Sequence, residues 1–145
     1  MNRLASKALF DDQVKALEGE ILVIRRWTVF SRTFPILDVG FEHEDRSPFR
    51  VQTNCEDWNE LPPWITLLAF EGTILTSLPT GPTGVFNQAL HDITKRPFIC
   101  MAGSREYHTH PSHIADVWEN YKSRSGYELG GLLTQIWSAW LKSTP

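Results

Sequence analysis

The sequence predicts an α+β domain, and three observations predict it. Short runs rich in β-branched and aromatic residues fill positions 20 to 70, a Pro- and Gly-punctuated stretch follows, and the last third carries apolar residues at helical spacing. With 145 residues, 41% of them hydrophobic and six of them tryptophan, the chain is sized for a single domain over residues 1–145. Such a core needs neither a metal nor a disulfide to close. Fourteen Lys and Arg against seventeen Asp and Glu leave a net charge of -3, with no basic cluster beyond Arg25 and Arg26. Nucleic acid is therefore not an expected partner.

At the N-terminus Asp11-Asp12, then Val14 and Leu17, then Gly19 read as an acidic helix start, an apolar face and a glycine stop. Leu4, Ala8 and Phe10 extend that helix backward. Three or four antiparallel strands follow, drawn from Ile21-Leu-Val-Ile24, Trp27-Thr28-Val29-Phe30, Ile36 to Phe41, and Phe49-Arg50-Val51-Gln52 after a Ser47-Pro48 turn. Leu61-Pro62-Pro63 interrupts the pattern, and Ile65 to Phe70 reads as one more short strand. Pro79, Gly81, Pro82 and Gly84 then mark a long irregular segment. Two helices close the chain. Ser112 is placed to cap the first, with Ile114, Val117, Trp118 and Tyr121 on one face; Leu129, Leu132, Leu133, Ile136, Trp137 and Trp140 form the stripe of the second.

The opening Met1-Asn2-Arg3-Leu4 lacks the apolar run of a secretory signal, so a cytoplasmic location is expected, with Cys55 and Cys100 as free thiols. No run approaches the roughly eighteen apolar residues of a membrane span, so a membrane is not an expected partner.

Chemistry concentrates between Cys100 and His113, a stretch that holds three of the five histidines and one of the two cysteines. Read as an extended segment it puts Glu106, His108 and His110 on one face, with His113 a turn beyond His110 if a helix begins after Pro111. Gly103 lets the chain reverse toward the thiol. One chemistry that fits makes Cys100 a nucleophile whose thiol is activated by a histidine, with Glu106 orienting the imidazole and a second histidine moving a proton. Another makes Cys100, Glu106, His108 and His113 a tetrahedral zinc set, although their spacing matches no common zinc-finger pattern. Cys55 reads as structural, His43 as part of a solvated turn, and His91-Asp92 as a second-tier site within reach of Cys100.

The order of elements, the Leu61-Pro62-Pro63-Trp64-Ile65 turn and the Phe98-Ile99-Cys100-Met101 segment resemble the ubiquitin-conjugating-enzyme (UBC) fold over nearly the whole chain. Within that superfamily the chain is similar to the bacterial branch labelled as a predicted metal-binding domain for its Cys, Glu, His and His residues, matched here by Cys100, Glu106 and the histidines of Tyr107 to His113. The resemblance implies an N-terminal helix, a four-stranded antiparallel meander and C-terminal helices.

It further implies a conjugating enzyme in a bacterial ubiquitination-like pathway, of a kind often linked to phage defence. Its partners would be a ubiquitin-like protein, an activating-type enzyme and a protein target. Cys100 would carry the modifier as a thioester, with Glu106, His108, His110 and His113 as surrounding acid-base and orienting groups and no cofactor. Common conjugating enzymes carry a His-Pro-Asn tripeptide upstream whose Asn helps to hold the oxyanion. This chain has His91-Asp92-Ile93 there, so the expectation is that the downstream Glu and His residues take over, and that they permit a hydroxyl acceptor. The alternative is a zinc-binding, catalytically inactive UBC-like adaptor for an activating enzyme or modifier.

Overall fold

The computed structural model describes residues 2–145. Helix α1 spans Arg3–Val14, and it starts well before Asp11-Asp12 because the Asn2 side chain caps it, accepting from the Ala5 amide at 2.8 Å. Asp11 lies instead in the last turn, where Lys7 one turn earlier pairs with it at 2.5 Å. Phe10, Val14 and Leu17 are buried, as the apolar spacing predicts.

The Ile21-Leu-Val-Ile24 run is a six-residue helix, α2 (Glu20–Arg25), and not a strand. Gly19 at φ 69° and Arg26 at φ 57° break the chain on either side, isolating the run from the sheet. Val23 and Ile24 consequently point to solvent at 76% and 74% exposure.

Four strands, β1 (Trp27–Thr33), β2 (Ile36–His43), β3 (Arg46–Asn54) and β4 (Trp64–Ala69), form an antiparallel sheet in chain order. Ser47-Pro48 lies within β3, because the turn falls earlier, at Glu44-Asp45. Period-2 alternation sends Leu37, Val39, Phe41, Phe49, Val51, Ile65 and Leu67 to the inner face. On the outer face Gly40 lets Phe30 and Phe70 close over β2; a Cβ there would lie 2.7 and 2.8 Å from the two rings.

Residues 70–100 hold a small hairpin, β5 (Phe86–Asn87) with β6 (Phe98–Ile99). In the last third only the final helix, α4 (Leu129–Leu141), is full length. Its Leu132, Leu133, Ile136 and Trp140 cover the inner face of the sheet, with Trp140 against Phe41 and Phe49 at ring separations of 5.9 and 5.4 Å. The helix expected from Ser112 is replaced by a turn and a single 3-10 turn at Trp118–Asn120. Of its expected apolar face Trp118 is buried and Tyr121 packs partly against the core, while Ile114 and Val117 are 65% and 43% exposed, so too little of that face is buried to hold a helix there. The remaining helix, α3 (Arg105–Thr109), falls on the segment expected to be extended. No helix among the described residues is long and apolar enough to cross a membrane.

Candidate active site

Cys100 directly follows β6, and its amide donates to the Val85 carbonyl at 2.6 Å, continuing the hairpin by one more pair. Strand alternation then puts Val85, Asn87, Phe98 and Cys100 on one face, with Asn87 diagonal to the cysteine. Burial pushes the partly exposed Cys100 thiol above its ordinary value, and a hydrogen bond with the Asn87 side chain opposes the shift. The Asn87 carbonyl oxygen already accepts from the Ala89 amide at 2.9 Å, so its NH2 is the group left to face the sulfur. Asn87 was not legible as a site residue, since nothing in the irregular stretch from Pro79 announces a two-residue strand.

Beyond Cys100 the chain reverses at Gly103, φ 103°, where a Cβ would collide with Leu132 Cδ2 at 2.4 Å. Ser104 caps α3, accepting from the Tyr107 amide at 3.1 Å and donating to the Ile99 carbonyl at 2.8 Å. The helix is also latched to the Pro-Pro turn: the Arg105 amide donates to the Pro63 carbonyl and its Nε to the Pro62 carbonyl, both at 2.8 Å. After the helix, the turn beginning at Pro111 brings His113 back to the cysteine. Its Nε2 lies 3.7 Å from Cys100 Sγ, within sulfur hydrogen-bonding range, and its ring stacks on Tyr107 at 4.1 Å and 11°. His110 stacks on Phe98 at 5.5 Å and stands 5.9 Å from His113, ring to ring.

Two expected members are engaged elsewhere. Glu106 is 2% exposed and its carboxyl group accepts from the Ile65 amide at 3.0 and 3.2 Å, so it supports the start of β4 and not an imidazole at Cys100. Burial pushes its pKa up to about 8. The reason is helical periodicity: within α3, Glu106 and His108 do not share the face that an extended chain would give them. His108 donates from Nδ1 to the Asp116 carbonyl at 2.7 Å and accepts at Nε2 from the Gly103 amide at 3.0 Å. Desolvation lowers its pKa, so it is a neutral brace of the loop with both nitrogens occupied.

Zinc on Cys100, Glu106, His108 and His113 does not fit this arrangement. Among the described residues no three His, Cys, Asp or Glu side chains gather as a metal site would require.

His91 is 1% exposed, packed between Trp64 and Phe98, and accepts at Nδ1 from the Ile93 amide at 3.1 Å; it is structural. Cys55 is 1% exposed with its thiol pushed up by burial to about 12, in keeping with a structural role. His43 accepts at Nδ1 from the Asp45 amide at 3.1 Å in the β2–β3 turn.

Residues 84–144, which contain Cys100, His113 and α4, match the model of the Y4jH-like family, described as the Y4jH family. A stretch of 28 residues, 19% of this chain, is 50% identical to a protein of Sinorhizobium fredii named uncharacterized protein y4jH. That stretch spans 14% of the relative's own length. Neither match links the chain to the ubiquitin-conjugating enzymes.

Proposed function

We propose that the protein is a thioester-forming acyltransferase of the ubiquitin-conjugating type, with Cys100 as the acyl carrier. The observation that carries this reading is the 3.7 Å approach of Cys100 Sγ to His113 Nε2 at a partly exposed site beside the Asn87 amide. A thiol raised by burial is protonated at rest, so attack needs a base within reach, and His113 is that base. The order of helix, four-stranded meander and C-terminal helix supports the UBC-like assignment.

In the loading step the Cys100 sulfur attacks the C-terminal acyl carbonyl of a ubiquitin-like modifier held as a thioester on an activating enzyme. The carbon–sulfur bond to Cys100 forms, that to the activating enzyme breaks, and the Cys100 proton passes through His113 to the departing thiolate. In the second step a lysine amine or a hydroxyl of the target attacks the same carbon, the new C–N or C–O bond forms as the carbon–sulfur bond to Cys100 breaks, and the nucleophile's proton passes through His113 to the departing Cys100 sulfur. The Asn87 NH2, beside the sulfur, would donate to the oxyanion of each tetrahedral intermediate, a role that common conjugating enzymes give to an upstream Asn absent from His91-Asp92-Ile93. Base assistance matters more for an alcohol than for a neutral amine, which favours a hydroxyl acceptor. The adaptor alternative differs in expecting bound zinc and no acyl adduct, and no step here is routed through a metal.

A peptide ending in diglycine, activated as its mercaptoethanesulfonate thioester, tests the reading directly. Intact-mass spectrometry is expected to show one hydroxylamine-labile adduct, absent in Cys100→Ala and slowed roughly a hundredfold in His113→Ala. An adduct that survives Cys100→Ala, or about one equivalent of bound zinc with a protected Cys100, would refute it. If conjugates then map only to lysine and resist mild hydroxylamine, the hydroxyl preference is wrong.

A further inference from the structure

The loop that carries His113 has almost no apolar anchorage. Pro111, Ser112, Ile114, Ala115 and Val117 are all exposed, and a histidine on such a loop would ordinarily wander through several rotamers. Yet the Cys100–His113 approach requires one.

Asp116 supplies the missing constraint through an unusual number of bonds. One carboxylate oxygen, Oδ2, accepts from both Tyr107 and Tyr121 hydroxyls, at 2.6 and 2.7 Å. Its carbonyl accepts from His108 Nδ1 at 2.7 Å, and its amide donates to the His113 carbonyl at 2.9 Å. The first of these bonds fixes the phenol whose ring face lies on the His113 imidazole at 4.1 Å and 11°. We infer that Asp116 is a positioning residue for the reacting pair: its carboxylate anchors the Tyr107 hydroxyl, and the Tyr107 ring in turn sets the plane of His113 against Cys100. Asp116 touches neither the sulfur nor the acyl group, and it acts only through the ring it holds.

This inference rests on Cys100 and His113 acting as a pair, but its test does not require acyl transfer. The probe is iodoacetamide, and the readout is the alkylation rate of Cys100 in the folded, full-length chain at one fixed pH, with Cys55 shielded in the core. Asp116→Ala is expected to slow alkylation roughly ten- to a hundredfold, toward the His113→Ala rate, as misplacement of a reacting group by about an ångström does. Asp116→Asn keeps an acceptor oxygen for both phenols and is expected to restore most of the rate. Tyr107→Phe keeps the ring but loses the anchor, and is expected to match Asp116→Ala.

In a His113→Ala background, Asp116→Ala is expected to add nothing. A further loss there would mean that Asp116 supports the loop by another route, and would overturn the inference. Wild-type rates in Asp116→Ala or Tyr107→Phe would overturn it too, as would a His113→Ala rate equal to wild type. Failure of the peptide thioester to load, with this alkylation pattern intact, would count against the acyltransferase reading alone and leave the positioning role standing.

Discussion

The buried imidazole of His91 donates from Nε2 to the main-chain oxygen of Glu106 at 2.9 Å, joining the segment that leads into Cys100 to the helix that follows it. Its other nitrogen accepts from the Ile93 amide, so one ring ties α3 to the turn that precedes β6. His91→Ala removes that ring from between Trp64 and Phe98, takes the partner of the Ile93 amide away, and leaves the Glu106 carbonyl with only the longer bond from Thr109 Oγ1 at 3.4 Å. A loss of about 2–4 kcal/mol in urea unfolding is expected, from a cavity plus unsatisfied polar groups.

Cys100 and Cys55 differ enough in exposure and proton affinity to be told apart by thiol counting. The native protein is expected to take up one equivalent of iodoacetamide, all of it on Cys100, and a second only after unfolding. Peptide mapping checks this; rapid labelling of Cys55 in the native state would contradict its burial at 1% exposure.

Glu106 makes stability depend on pH in a direction unusual for a carboxyl. Its folded-state pKa of about 8 lies above the ordinary carboxylate value, so across that window the folded chain keeps a proton that the unfolded chain releases. This contribution is fully present at acid pH and is lost as pH rises through about 8. One proton sets a slope of at most about 1.4 kcal/mol per pH unit. Glu106→Gln is expected to flatten the fall in unfolding free energy between pH 5 and 8, measured by denaturant titration at several pH values. An unchanged slope would place the ionisation elsewhere.

Gly103→Ala tests the chain reversal between Cys100 and α3. The position combines φ 103° with a Cβ-to-Leu132 separation of 2.4 Å, so the new methyl meets both backbone strain and the core. A loss on the order of 2–4 kcal/mol is expected, with Cys100 alkylation altered because the turn can no longer close. Thermal unfolding and the iodoacetamide rate together check it.

Much of the fold was legible because the period of its apolar residues is unambiguous. The alternation in Ile36 to Phe41 and Phe49 to Gln52 placed two strands, and the stripe from Leu129 to Trp140 placed α4. Local propensity misled where tertiary burial was absent. The Ile21–Ile24 run looks like a strand to any β scale, yet it has no neighbour to pair with, and the segment after Ser112 has helical spacing but buries Trp118 while Ile114 and Val117 stay exposed. The cysteine and the cluster of histidines were visible as types. Their roles were not, because roles depend on which nitrogen already holds a partner: His108 spends both on Asp116 and Gly103, whereas His113 turns Nε2 to the thiol. Asn87 and Asp116 carried no signal at all, since each matters through one contact that only the hairpin and the loop create.

The packing around Trp118 has an optical consequence. Its ring lies 5.9 Å from His108, its indole nitrogen donates to the Asn59 carbonyl at 2.8 Å, and Trp58 is 5.8 Å away. Because a nearby imidazole changes indole emission when it is displaced, a movement of the turn that joins His108 to Trp118 is expected to register in the Trp118 contribution to the fluorescence spectrum. Displacement of that turn can therefore be followed in real time, with no label attached and no residue altered.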